Sequence, residues 1–237
     1  RLGDSMPRLA CKDARLLIFS GDDKISFLEG LSSNKIDFVN TEIINTLVLD
    51  TKAKIIGQLH LFMLGEMLIA VVLAENDKEL MEHLNSKILT QDVAINDVTD
   101  LNYVDIIYNN NPDVDVVTSK DGYTLIHINR MYSFEIYSNK FERKPISNDW
   151  INFHDWRINH LVPWHGYEVT RKVNPYQCGL DSQVHENKGC FTGQEVLTRM
   201  RSRNKGICRL TALDNNSITN HNVSTKGTQK SIIIERV

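Results

Sequence analysis

The stretch IIGQLHLFMLGEMLIAVVLA, residues 55–74, constrains this chain more than any other. Its first half alternates well enough for a long strand, and its second half is a short apolar run. Gly65-Glu66 between them is a two-residue turn of the kind that folds a strand back on its neighbour. A hairpin this apolar has to be covered on both faces, and the surrounding sequence supplies the cover. RLLIF at 15–19 and TLVLD at 46–50 read as strands, with TKAK as a turn. DDKISFLEGLSS reads as a helix capped by Asp22 or Asp23, with Ile25, Phe27, Leu28 and Leu31 inward. Residues 75–89 carry the clearest helix: Asn76 and Glu79 form a capping box, and Leu80, Met81, Leu84 and Ile88 form the buried stripe.

QDVAINDV, LNYVDIIY, YTLIHI and YSFEIY follow as strands separated by Asn, Asp and Gly turns. NNNPDVD at 109–115 reads as a surface loop and a module boundary. A helix is expected near 148–160, capped by Asn148 or Asp149, packing Trp150, Phe153, Ile158 and Leu161, and stopped by Pro163. From about 206 onward only strands and turns are expected. Hairpins mixed with helices in this order predict an α+β protein with largely antiparallel sheets, not a doubly wound parallel sheet.

Composition narrows the function classes. With 41% hydrophobic residues in 237, the chain can bury a sizeable core, so disorder is not expected. A net charge of −3 argues against a protein that coats nucleic acid. MLIAVVLA at 67–74 is the longest apolar run and is too short for a membrane helix. RLGDSMPRLACKD at the start has no apolar core of a secretion signal, so a cytoplasmic protein with reduced thiols is expected. Cys11, Cys178, Cys190 and Cys208 are widely spaced without a CxxC pair, so no metal ligand set is signalled.

KGCFTGQE, residues 188–195, carries the chemistry. Thr192 and Glu195 fit a capping box, which would open a helix through EVLTRMRS and set Cys190 two residues before the cap. The helix dipole and Lys188, Arg199, Arg201, Arg203 and Lys205 would all favour thiolate. Gly189 and Gly193 would let backbone approach a ligand. The bland alternative is a small buried thiol at a helix entry. His165 and His185 are the candidate bases if folding brings them near. The basic run 199–205 reads either as a solvated helix end or as a site for an anion: phosphate, a polyglutamate tail or RNA.

KGCFTGQEVLTR closely resembles the K-G-C-[YF]-x-G-Q-E-x-x-x-R signature of the YgfZ family, folate-binding proteins that support iron–sulfur cluster assembly or repair and are related to the glycine-cleavage T-protein. RLLIFSGDDKISFLEGLSSN, TKAKIIGQLHLFML and WRINHLVPWHGYEVTRKVNPYQCGL extend the resemblance over roughly residues 13 to 212. It implies two interwoven α+β halves, 1–110 and 111–205, around a central cavity. A short C-terminal β-barrel-like segment, 206–237, would complete the chain. It implies tetrahydrofolate as ligand, Cys190 as the reactive thiol, and Lys188, Gly189, Gln194, Glu195, Arg199, Asn159, Gln58 and Trp164 as ligand-facing positions. No metal site is implied. Partners would be iron–sulfur proteins or their assembly factors, with tRNA modification supported indirectly, and neither direct nucleic-acid contact nor membrane attachment is expected. Gln58 stands where the T-protein has an aspartate that works on the aminomethyl group, and Asn159 stands where both branches carry Glu. An amide cannot shuttle a proton, so an aminomethyltransferase-like enzyme is the alternative reading, and a tRNA-facing module is another.

Overall fold

A computed structural model describes residues 7–109, 117–203, 205–219 and 222–237. Its elements run β1 (Arg8–Ala10), β2 (Ala14–Ser20), α1 (Lys24–Leu31), β3 (Ile43–Leu49), β4 (Ile55–Leu64), β5 (Met67–Leu73), α2 (Asp77–Ser86), β6 (Ala94–Asp97), β7 (Asn102–Tyr108), β8 (Val117–Lys120), β9 (Tyr123–Ile128), β10 (Tyr132–Ser138), α3 (Trp150–Asn159), α4 (Gln194–Ser202), β11 (Cys208–Asp214), β12 (Val223–Lys226) and β13 (Lys230–Arg236). The apolar stretch 55–74 holds the β4–β5 hairpin. Leu64 pairs with Met67 across a turn in which Gly65 takes φ +61°.

This hairpin is the centre of a five-stranded antiparallel sheet of order β3-β4-β5-β2-β6. On one face α1 and α2 cover it, burying Phe27, Leu28, Leu80 and Leu84 against Leu59, Leu61, Leu68 and Ala70. On the other face Leu16, Phe62, Ile69, Val71 and Leu73 meet a second antiparallel sheet of order β1-β7-β10-β9-β8, with Phe153 and Trp164 in the same core. Successive strand residues point to opposite faces, so Gln58, His60 and Phe62 of β4 all look toward this second sheet. Both five-stranded sheets are antiparallel, in keeping with the α+β expectation. Among the described residues no helix is long and apolar enough to cross a membrane.

Several local expectations are corrected. The C-terminal strands form a three-stranded sheet, β11-β13-β12, and no closed barrel appears among the described residues. Three strands leave two free edges and cannot close on themselves. The Asn76 side chain does accept from the Glu79 amide, but the Glu79 carboxylate is taken by Arg171 at 2.9 Å, so only half of that capping box forms. Asp149, not Asn148, caps α3. Leu161 lies past its end, at φ +52°, and is exposed. The loop at 109–115 lies outside the described residues after Asn109.

Candidate functional site

Lys188 and Phe191 point inward, whereas Gly189 and Cys190 are exposed. Phe191 packs with Leu47, Leu49, Tyr176 and Leu197. Lys188 reaches across the chain: its Nζ donates to the Asn34 carbonyl at 2.7 Å and lies 3.6 Å from Glu29. Burial lowers its pKa to about 8, with Glu29 pulling the other way. The Gln194 side chain donates to the Lys188 carbonyl at 3.3 Å. Two side chains thus tie the segment on either side of an open thiol.

The helix entry departs from the sequence reading. Gly193, not Thr192, is the N-cap of α4, at φ +85°, and no side chain caps it. A Cβ at Gly193 would sit 2.8 Å from the Asp50 carbonyl oxygen and 2.9 Å from the Ala53 Cα. The turn between β3 and β4 leaves no room for a Cβ there, and the left-handed backbone separately favours glycine. Gly193→Ala is expected to destabilise the protein by about 1–3 kcal/mol, read as a lower urea midpoint. An unshifted midpoint would mean that the turn does not press on Gly193.

Glu195 and Arg199 lie on the outer side of α4, where with Gln194, Thr198, Ser202 and Arg203 they line an open groove of about 440 Å³. Arg201 pairs with Glu186 at 2.7 Å. Asn159 is exposed at the last turn of α3 and lines neither this groove nor the clefts described next.

Gln58 and Trp164 do come together, through His165. The His165 Nε2 lies 3.0 Å from the Gln58 Oε1. A carbonyl oxygen only accepts, so that nitrogen carries the hydrogen. Burial pushes the His165 pKa down to about 3. Trp164 is wedged between Tyr132 and Phe153 at ring distances of 5.9 and 5.0 Å. Trp164 and His165 floor a cleft of about 450 Å³ whose walls include Lys12, Arg15, Glu75 and Asp100.

His60, two residues along the same face of β4, was not anticipated. Polar residues at 58 and 60 inside an otherwise apolar strand were the available signal, because both fall on one face. Its Nδ1 lies 2.6 Å from the Asn45 Oδ1, and the Asn45 amide donates on to Asn129 at 3.0 Å. Burial, helped by His165, lowers its pKa to about 3, and its Nε2 is buried without a partner among the described residues. Asn34 joins this chain to the KGC turn: its Nδ2 donates to the Asn45 carbonyl and its own carbonyl accepts from Lys188.

Gln58, His60 and His165 are all uncharged at neutral pH. They can orient a polar ligand, and the carboxylates beside them are those of Asp13, Glu75, Asp77 and Asp100 on the cleft walls. Sequence reading also passed over Arg157 and Glu168, both fully buried and paired at 2.7 Å. Cys178 is buried, its thiol pushed up to about 12 by desolvation, and Cys11 is buried and shifted the same way. Among the described residues no group of three or more His, Cys, Asp or Glu side chains is placed to hold a metal ion.

No protein-family model and no curated protein sequence matches the chain. Among solved structures it is similar to the glycine cleavage system aminomethyltransferase T from Bartonella henselae, with a TM-score of 0.70 over 98% of this chain and 78% of that one. The two are 13% identical, so what they share is the fold: this chain folds like that aminomethyltransferase.

Proposed function

We propose that the chain is a tetrahydrofolate-binding accessory factor for the assembly or repair of iron–sulfur proteins, and that it presents Cys190 to them. The observation that carries the reading is an exposed Cys190 on a turn tied down by Lys188 and Gln194, within a T-protein-like fold. Aminomethyl transfer fits less well. Gln58 cannot ionise, and the histidine it holds stays neutral until strongly acid pH. Under this reading the folate lies in the cleft lined by Trp164 and His165, with Gln58 fixing the imidazole and Asp13, Glu75, Asp77 and Asp100 as acceptors for the donors of the pterin edge.

Tetrahydrofolate is expected to change the tryptophan fluorescence saturably, with no methylene-folate formed from an aminomethyl donor. Turnover would favour the transferase instead. Cys190→Ala is expected to fold like the parent, within about 0.5 kcal/mol for an exposed side chain, and to fail to sustain cluster-enzyme activity in cells lacking the protein. Full activity from that folded variant would remove the thiol from the mechanism.

A further inference from the structure

We propose that a second cleft, formed by residues 34–45, the turn after β9 and residues 182–185, binds a small uncharged ring whose edge sets an N–H beside a C=O. Guanine, uracil and reduced pterins share that pattern. The cleft has a volume of about 450 Å³, enough for such a ring, and its walls carry the carboxamides of Asn34, Asn45, Asn129 and Gln183. Lys35 on its rim lies 3.4 Å from Asp37, so the walls present no unbalanced charge there.

Gln183 is the deciding residue. It is 2% exposed, and its Oε1 is buried with no hydrogen-bond partner among the described residues. Its backbone is held firmly: the carbonyl accepts from the Ser33 hydroxyl at 2.7 Å and the amide donates to Leu180 at 3.0 Å. A buried acceptor without a donor is rare in a folded protein and points to a group supplied from outside. The neighbouring groups are polarised the other way. Asn129 has its Oδ1 taken by Asn45, which leaves its NH₂ to donate. His185 accepts the Asn187 amide on Nδ1, which leaves Nε2–H to donate. One acceptor and two donors among the residues lining one cleft can complement a cyclic amide edge, the pairing by which carboxamides read ring edges elsewhere.

The test is calorimetric titration of the full chain with guanosine, uridine and tetrahydropterin, and with 1-methylguanosine and 3-methyluridine, in which a methyl group replaces the ring N–H. At least one unmethylated ring is expected to bind, and a methylated nucleoside about tenfold or more weakly than its parent. Which ring binds identifies its source. Gln183→Leu and Asn129→Gly are each expected to weaken that ring about tenfold. Asn129 sits at φ +50°, where glycine is at ease, so that variant removes the carboxamide without straining the turn. Failure of all three rings, equal binding of the methylated nucleosides, or wild-type affinity in both variants would overturn the proposal. The inference rests on the folate reading only where tetrahydropterin is the ring that binds. Tetrahydrofolate binding without any of the three rings sinks this inference alone, and guanosine or uridine binding without tetrahydrofolate sinks the folate reading alone.

Discussion

Glu168→Ala is expected to lower the unfolding free energy by about 3–5 kcal/mol, because it strands a guanidinium in the interior. Arg157 and Glu168 are both fully buried. The Arg157 Nη1 meets the Glu168 Oε2 at 2.7 Å, Nη2 donates to Thr225, and Nε donates to the His154 Nδ1 at 2.8 Å. The other Glu168 oxygen accepts from Ser224 and Thr225, each at 2.6 Å, and Oε2 also accepts the Trp164 amide at 3.2 Å. One carboxylate therefore fastens α3, the turn bearing Trp164 and strand β12 to each other. Desolvation pulls the Arg157 pKa down and Glu168 holds it up, which is why removing the acid is the damaging half. Arg157→Met combined with Glu168→Leu is expected to recover much of the loss, since no charge is then left buried. Urea denaturation of the three variants reads both effects. A Glu168→Ala midpoint equal to that of the parent would show that the pair is not closed to water.

Acid is expected to unfold this protein as its buried histidines are forced to take up protons. His60 and His165 have pKa values lowered to about 3, and His154 to about 4, in each case chiefly by burial. The unfolded chain takes up these protons near pH 6.5, and the folded chain refuses them until far lower. The histidine contribution is thus full above about pH 6.5, falls as pH drops, and levels off near pH 3–4. His60 and His165 each contribute about 1.4 kcal/mol per pH unit in that window, and the half-buried His154 contributes less because water screens it, so the slope is about 3–4. Asp105, whose pKa burial raises, opposes the loss by up to one proton toward the acid end. A domain stable by about 5–10 kcal/mol would on that slope unfold between pH 4 and 5. His165→Gln can keep a donor toward Gln58 while removing one titrating ring, and should flatten the slope by about a third. Equal urea midpoints at pH 7 and pH 5 would contradict the burial of these rings.

Much of the fold could be read before any coordinates. The β4–β5 hairpin was legible because alternation, an apolar run and Gly65 agree with one another. The apolar stripe of α2 was legible because Leu80 and Leu84 fall four apart on one face. The helical phase that buries Phe153 and Arg157 also sends Asn159 outward, a placement that periodicity alone gives. Thr192 looked like a cap because the sequence cannot show the Asp50 carbonyl that presses on Gly193. The exposure of Cys190, the reach of Lys188 to Asn34 and the Arg157–Glu168 pair are tertiary facts that no local pattern carries.

The short strand β1 has a consequence for how the chain comes together during synthesis. Only residues 11–13 separate it from β2, yet Arg8 finds its partner at Ile107, in the other sheet. A ribosome releases the N-terminus first, so Arg8–Ala10 waits without a neighbour until about a hundred further residues have emerged. Its pairing closes a very long loop, a slow event that gains little from local contacts. That edge stays open through the whole interval, and the second sheet is completed only when both ends of the loop exist.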